Sequence, residues 1–136
     1  VKTRQGQVGV RLFLVSFLAV FIMLLVPGTA VQELAAWLQF LNRSVHVQGG
    51  LLQHVDKLVH LGFFAVLALT GWRAFGRRGR PWLLLGLFSF AVLTEWLQGF
   101  VPGRSTSLLD LVANSIGIGV GASLGMLVWR EGSRVR

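Results

Sequence analysis

The chain has 136 residues, the size of one domain; 54% of them are hydrophobic and only 13% are charged. Soluble domains carry about a quarter charged residues, so this composition excludes an ordinary water-soluble fold and indicates that much of the surface faces lipid. The net charge of +8 would suggest a nucleic-acid partner in a soluble protein, but in a membrane protein it is the expected excess of basic residues in cytoplasmic loops. The absence of cysteine excludes disulfides, thiolate nucleophiles and cysteine metal sites.

Four apolar stretches follow one another, each close to the ~20 residues that cross a hydrocarbon core of about 30 Å as a helix. The predicted transmembrane helices cover about residues 8–26, 58–75, 81–101 and 108–129. We therefore expect an all-α membrane protein, a four-helix bundle that forms a single domain over residues 1–136. The first stretch also has the order of a signal peptide, with basic residues before an apolar run, and that alternative stays open.

The basic residues indicate the orientation. Of the 13 Lys and Arg, all but Arg43, Lys57 and Arg104 lie before or in the first turn of the first predicted helix, at or near the connection between the second and third, or after the fourth. Because cytoplasmic loops carry the excess of basic residues, both termini are predicted to be cytoplasmic. The even number of crossings agrees with this.

The predicted outer loop, residues 28–55, is the only long connection. Val31, Leu34, Leu38 and Leu41 recur there at helical spacing, which predicts a short amphipathic helix. This helix either lies on the outer membrane surface or caps the bundle. Gly49 and Gly50 are expected to break the chain before the second transmembrane helix.

The few polar side chains collect at the predicted outer ends of the second, third and fourth helices. They are Asp56, Lys57, His60, Glu95, Gln98, Arg104, Ser105, Thr106, Ser107, Asp110 and Asn114. Asp56 and His60 are four residues apart, as are Asp110 and Asn114, so each pair shares one face of its helix. We expect these groups to converge in a pocket.

The face that carries Asp110 and Asn114 continues through Gly117, Gly121 and Gly125. Small residues at this spacing let helix backbones approach closely, which should turn the face into the bundle. The glycines pack either within one chain or between the chains of a homo-oligomer.

An ionised carboxylate at membrane depth costs at least about 2.5–3.5 kcal/mol. Glu95 lies inside the third predicted helix, so it needs a partner, and the candidates are Lys57, His60 and Arg104. A purely structural interpretation is that such ion pairs fix the register of the helices, with Asp110 as the N-cap of the fourth.

Four segments resemble the VanZ-like family in the family's own order. They are DKLVHLGFF at 56–64, TEWLQ at 94–98, PGRSTSLLD at 102–110 and ANSIG at 113–117. The resemblance implies a bacterial membrane protein of the cell envelope. The family is named after a member linked to resistance to the glycopeptide antibiotic teicoplanin. The motif residues in this chain are Asp56, Lys57, His60, Glu95, Gln98, Arg104, Asp110 and Asn114.

The favoured hypothesis is a binding site for an anionic lipid or a lipid-linked envelope precursor. Lys57 and Arg104 offer donors for a phosphate, and the turn that contains Ser105 adds hydroxyl groups. Gln98, Asp110 and Asn114 complete the predicted ligand-binding set. If the ligand is a wall precursor, an effect on glycopeptide susceptibility is expected.

Two other hypotheses stay open. In the first, the protein is a hydrolase or transferase in which His60 is the acid or base and Asp56 or Glu95 orients it. In the second, it is a structural subunit of an envelope complex. No cofactor and no metal are predicted, because the spacing of His54, Asp56, His60, Glu95 and Asp110 matches no strong metal motif.

Overall fold

The computed structural model describes residues 4–27, 29–30, 33 and 49–130. Over these ranges all regular structure is helical, as predicted, and contains no strand. Four helices have described bounds: α1 (Arg4–Leu25), α2 (Gly49–Ala74), α3 (Arg80–Gln98) and α4 (Leu108–Arg130). The predicted amphipathic helix of the outer loop falls almost wholly outside the described residues.

Three helices contain segments long and apolar enough to cross a membrane: Gln7–Leu25, Arg80–Gln98 and Leu108–Trp129. Large apolar side chains point away from the protein on these helices, among them Leu18, Leu85 and Leu127. In a bilayer these side chains face lipid, so their exposure carries none of the free-energy cost that it would have in water. The helix α2 is not among the three; it contacts each of the other described helices, as α3 also does, and its most extensive contact is with α4.

The observed α2 begins nine residues earlier than the sequence predicted, at Gly49 instead of near residue 58. The expectation that Gly49 and Gly50 break the chain is therefore wrong. The apolar stretch marks the part of a helix that suits lipid, whereas the backbone stays helical through the polar residues before it. Glycine is tolerated in a first turn, where the N–H groups have no partner within the helix.

The helix α3 ends earlier than predicted, at Gln98 instead of Val101. Three turn-type bonds follow, the last from Val101 N–H to the Gln98 carbonyl at 3.1 Å. Pro102 and Gly103 then form a turn that closes when Arg104 N–H donates to the Val101 carbonyl. Gly103 has a φ of 75°, which favours glycine at this place.

The helix α4 packs against α2 through its glycines, so the glycine face of α4 points into the bundle. Gly117, Gly121 and Gly125 are all buried. A Cβ atom at Gly117 or Gly121 would overlap the carbonyl of Leu61 or Ala65 in α2. The close approach is therefore made within the chain, and a homo-oligomer through these glycines would need to disrupt it. Self-association as such stays a prediction.

Basic residues gather at one end of the bundle. Gly9 near the start of α1 packs against Arg73 near the end of α2. Trp72 lies against Gly125 near the end of α4, and the Arg80 guanidinium carbon lies 4.5 Å from the centroid of the Trp72 ring. The predicted polar groups lie toward the opposite ends of these helices.

We expect Gly121→Ala to lower the free energy of unfolding in detergent by about 1–3 kcal/mol, because the methyl group forces α4 away from α2. The matched control is Gly119→Ala on the same helix, where a Cβ meets nothing within 4 Å. That change should be neutral or stabilise by up to about 1 kcal/mol. Equal effects of the two substitutions, measured by thermal or denaturant unfolding, would contradict the packing.

Candidate functional site

The polar residues of α2, α3 and α4 meet at one end of the bundle, as the sequence predicted. We call His60, Glu95, Asp110 and Asn114 the polar cluster. All four side chains are buried, with His60 1% and Asn114 0% exposed. The four side chains point into the bundle, so they meet one another instead of lipid.

His60 is the centre of the polar cluster because it touches both neighbouring helices. Its Nδ1 lies 3.1 Å from Asn114 Oδ1 in α4 and 3.8 Å from Glu95 Oε1 in α3. A carbonyl oxygen only accepts, so Nδ1 carries the proton in the contact with Asn114. In the neutral ring, Nε2 is then left with a lone pair.

Glu95 links α3 to the turn before α4. Its Oε2 accepts a hydrogen bond of 3.1 Å from the backbone N–H of Ser107. Of the three partners predicted for Glu95, His60 is beside it, whereas Lys57 lies 3.8 Å from Asp110 Oδ1. Arg104, the third, is held elsewhere, so that part of the prediction is wrong.

Asp110 is in the first turn of α4 but is not the cap that the structural interpretation suggested. Ser107 takes that place, since its Oγ accepts from the Asp110 N–H at 3.4 Å. The Asp110 carboxylate is therefore available for side-chain contacts. Asp56 and one nitrogen of His60 lie beside it, with the three candidate ligand atoms all within 4.8 Å of one another. Asp56 itself is exposed.

Two residues predicted to bind a ligand also contact the end of α1. Gln98 Nε2 donates to the Leu24 carbonyl at 3.1 Å, and Arg104 Nε donates to the Val26 carbonyl at 3.1 Å. The last carbonyls of a helix have no partner within it, so these donors satisfy them. Sequence reasoning missed this role, although the need for donors at a helix end was a signal that could have indicated it.

Arg104 keeps part of its binding capacity. Among the described residues, none accepts a hydrogen bond from its two terminal nitrogens, and the side chain is only partly buried. Ser105 is exposed; the structure brings it into no contact with the polar cluster among the described residues.

A depression of about 200 Å³ opens beside Glu95 and is lined by Thr106, Ser107, Leu108 and Leu111. One turn further along α4, Ser115 begins an apolar groove of about 450 Å³ between α3 and α4. The groove is lined by Leu84, Phe88, Ser115, Ile118, Gly119, Ala122, Ser123 and Met126. The hydroxyls of Ser115 and Ser123 donate to backbone carbonyls of their own helix, so the groove presents little polar character.

Three atoms of the polar cluster are buried without a hydrogen-bond partner among the described residues. They are Glu95 Oε1, Asp110 Oδ1 and Asn114 Nδ2. A buried polar atom without a partner costs about 1–3 kcal/mol, so the polar cluster is not arranged for stability alone.

The sequence model of the VanZ/LLP1 family matches residues 3–129 of the chain. No curated protein matches the chain, and no solved structure does.

We expect Glu95→Gln to leave the free energy of unfolding unchanged or to raise it, because the amide oxygen still accepts from Ser107 and a buried charge is removed. Glu95→Leu should lower it by about 1–3 kcal/mol, because the Ser107 N–H loses its acceptor. Unfolding in mixed detergent micelles measures both, with Leu93→Ala as a control at an exposed position of the same helix. Equal destabilisation by Gln and Leu would contradict the assignment.

Proposed function

Because the chain belongs to the VanZ/LLP1 family, we propose that it is a multi-pass protein of the bacterial inner membrane that binds an anionic lipid. The ligand is a phospholipid or a lipid-linked precursor of the cell envelope. Its headgroup lies at the depression beside Glu95, and its tail lies in the groove between α3 and α4.

The observation that carries this proposal is the position of the two cavities, which follow one another along the same face of α4. Leu111 lines the depression and Ser115, one turn away on the same face of α4, lines the groove. The depression borders the polar residues Glu95, Thr106 and Ser107, whereas the groove is apolar. This order along α4 matches the headgroup and tail of an amphiphile. A soluble ligand would use only the first of the two.

The charges near the opening favour an anionic headgroup. Arg104 lies in the turn that leads to Thr106 and Ser107, and its terminal nitrogens offer the paired donors that suit a phosphate. The depression also borders the start of α4, where the positive end of the helix dipole attracts anions.

We infer the same orientation in the membrane as from the sequence, with α2 as the fourth crossing. The end of the bundle with Arg73 and Arg80 faces the cytoplasm, and the polar cluster faces outward. The excess of basic residues supports this. An outward site suits a ligand that is used on the outer side of the membrane, and an effect on teicoplanin susceptibility is then expected if the ligand is a wall precursor.

A second candidate function is hydrolysis or group transfer on an envelope lipid. The contacts of His60 with Asn114 and Glu95 favour it, since a histidine held in one tautomer beside a carboxylate is suited to acid–base chemistry. Turnover of a defined lipid phosphate or ester by the purified protein, lost in His60→Ala, would establish it. The role of a structural subunit would instead be indicated by a partner protein that copurifies in mild detergent.

Lipid retention measured by native mass spectrometry tests the proposed ligand. We expect Arg104→Gln to weaken retention of phosphatidylglycerol or of a polyprenyl phosphate at least about tenfold, or about 1.4 kcal/mol. The Gln side chain can still donate to the Val26 carbonyl. Arg78→Gln, an exposed position at the basic end, is the matched control and should retain the lipid.

A second variant separates the tail from the headgroup. Gly119→Leu fills the groove at a position with no neighbour within 4 Å, so it should reduce retention without loss of stability. Inorganic phosphate should compete weakly if only the headgroup is recognised. Unchanged retention in both Arg104→Gln and Gly119→Leu would overturn the proposal.

The orientation can be tested by cysteine labelling, because the chain contains no cysteine. A membrane-impermeant maleimide applied to spheroplasts should label Ser105→Cys. It should label Gly76→Cys, in the turn between α2 and α3, only after the membrane is permeabilised. The opposite pattern would reverse the orientation, and equal labelling at both sites would contradict the single crossing, by α3, that separates them.

A further inference from the structure

We propose that Asp56, His60 and Asp110 bind a divalent metal ion at the outer edge of the polar cluster. Two of the three residues come from neighbouring turns of α2, and the third comes from the first turn of α4. No metal was expected from the sequence, because the spacing of the residues matches no strong metal motif. The fold brings them together where α2 and α4 are in close contact.

The geometry is close to that of a metal site. One nitrogen of His60 and one oxygen from each aspartate all lie within 4.8 Å of one another. Ligands bound to zinc at about 2 Å lie roughly 3–4 Å apart, so the side chains need to close by about an ångström. Rotation of the exposed Asp56 side chain can supply much of this movement.

The buried residues of the site point independently to a ligand. The Asp110 side chain is 8% exposed. Its Oδ1 lies 3.8 Å from Lys57 Nζ but has no hydrogen-bond partner among the described residues, so it can still bind a cation. His60 is held by Asn114 through Nδ1. Such a bond from the distal nitrogen of a metal-binding histidine to an oxygen is a common feature of metal sites, because it fixes the tautomer and the direction of the ring.

The balance of charge also favours a cation. Asp56, Glu95 and Asp110 bring three carboxylates to this region, and Lys57, 3.8 Å from Asp110, brings one ammonium group. Concentrating like charges at the edge of a bilayer is costly. A divalent metal ion would supply two positive charges. Because Asp56 is exposed, the coordination positions of the metal that the protein leaves open would face the solvent.

Open coordination positions would explain how an acidic site accepts an anionic headgroup. A phosphate oxygen can complete the coordination, as it does at many protein-bound metal ions. This link to the headgroup rests on the proposed function, whereas binding of the metal does not. One imidazole and two carboxylates suit zinc or manganese better than magnesium or calcium, which prefer oxygen ligands alone.

Zinc content and cobalt spectroscopy test the metal site without any lipid. The full chain is purified in detergent, its affinity tag is removed, and it is stripped with a chelator and then dialysed against zinc. We expect about one zinc per chain by elemental analysis, and visible absorption bands from cobalt at low coordination number. Asp56→Asn should weaken zinc binding at least about tenfold and change the cobalt spectrum.

Asp110→Asn should have the same effect through a buried ligand of unchanged shape. Glu33→Gln, at an exposed acidic residue outside the site, controls for binding to surface carboxylates and should leave the zinc content unchanged. Absence of stoichiometric zinc in the wild-type protein, or equal zinc in the Asp56→Asn, Asp110→Asn and Glu33→Gln variants, would overturn the proposal. Loss of zinc in the site variants with lipid retention unchanged would overturn only the link to the headgroup.

Discussion

The contact between the backbones of α2 and α4 is the constraint on which the rest of the structure depends. Gly117 and Gly121 let α4 approach the carbonyls of Leu61 and Ala65 so closely that no side chain fits between them. Two helices in lipid gain little from apolar contact alone, so close van der Waals packing must supply much of their association. The same approach brings His60 of α2 within hydrogen-bond distance of Asn114 of α4. The close packing of α4 on α2 therefore both stabilises the bundle and brings the polar cluster together.

The polar end of the bundle combines groups that stabilise with groups that do not. Gln98 and Arg104 satisfy carbonyls at the end of α1, and Ser107 caps α4. These bonds use the general need of helix ends for partners. Glu95 and Asp110 are different, because each keeps a buried oxygen without a hydrogen bond among the described residues. These oxygens have only ion-pair contacts at 3.8 Å, with His60 and Lys57. Incomplete hydrogen bonding of a buried carboxylate is destabilising, and such a cost is characteristic of sites that bind a ligand.

The two ends of the bundle differ in chemistry. One presents arginines, with Arg80 stacked on Trp72, and the other presents carboxylates, a histidine and amides. The depression beside Glu95 lies at the second end, and the apolar groove between α3 and α4 begins one turn further along α4. In the proposed function, the headgroup of the lipid lies at the depression and its tail in the groove. Membership of the VanZ/LLP1 family is consistent with a membrane role but does not name that ligand.

The sequence by itself determined the helical class, the apolar segments and the residues that gather at the polar end. These follow from local properties, namely side-chain hydropathy and the spacing of residues on a helix. Only the tertiary structure decided that α2 begins at Gly49, because lipid affinity limits the membrane-crossing part of a helix and not the helix itself. The tertiary structure also decided which side chains contact one another at the polar end. Which carboxylate lies beside His60, and that Arg104 holds the end of α1, depend on distances between residues remote in the chain, and spacing along one helix carries no information about them.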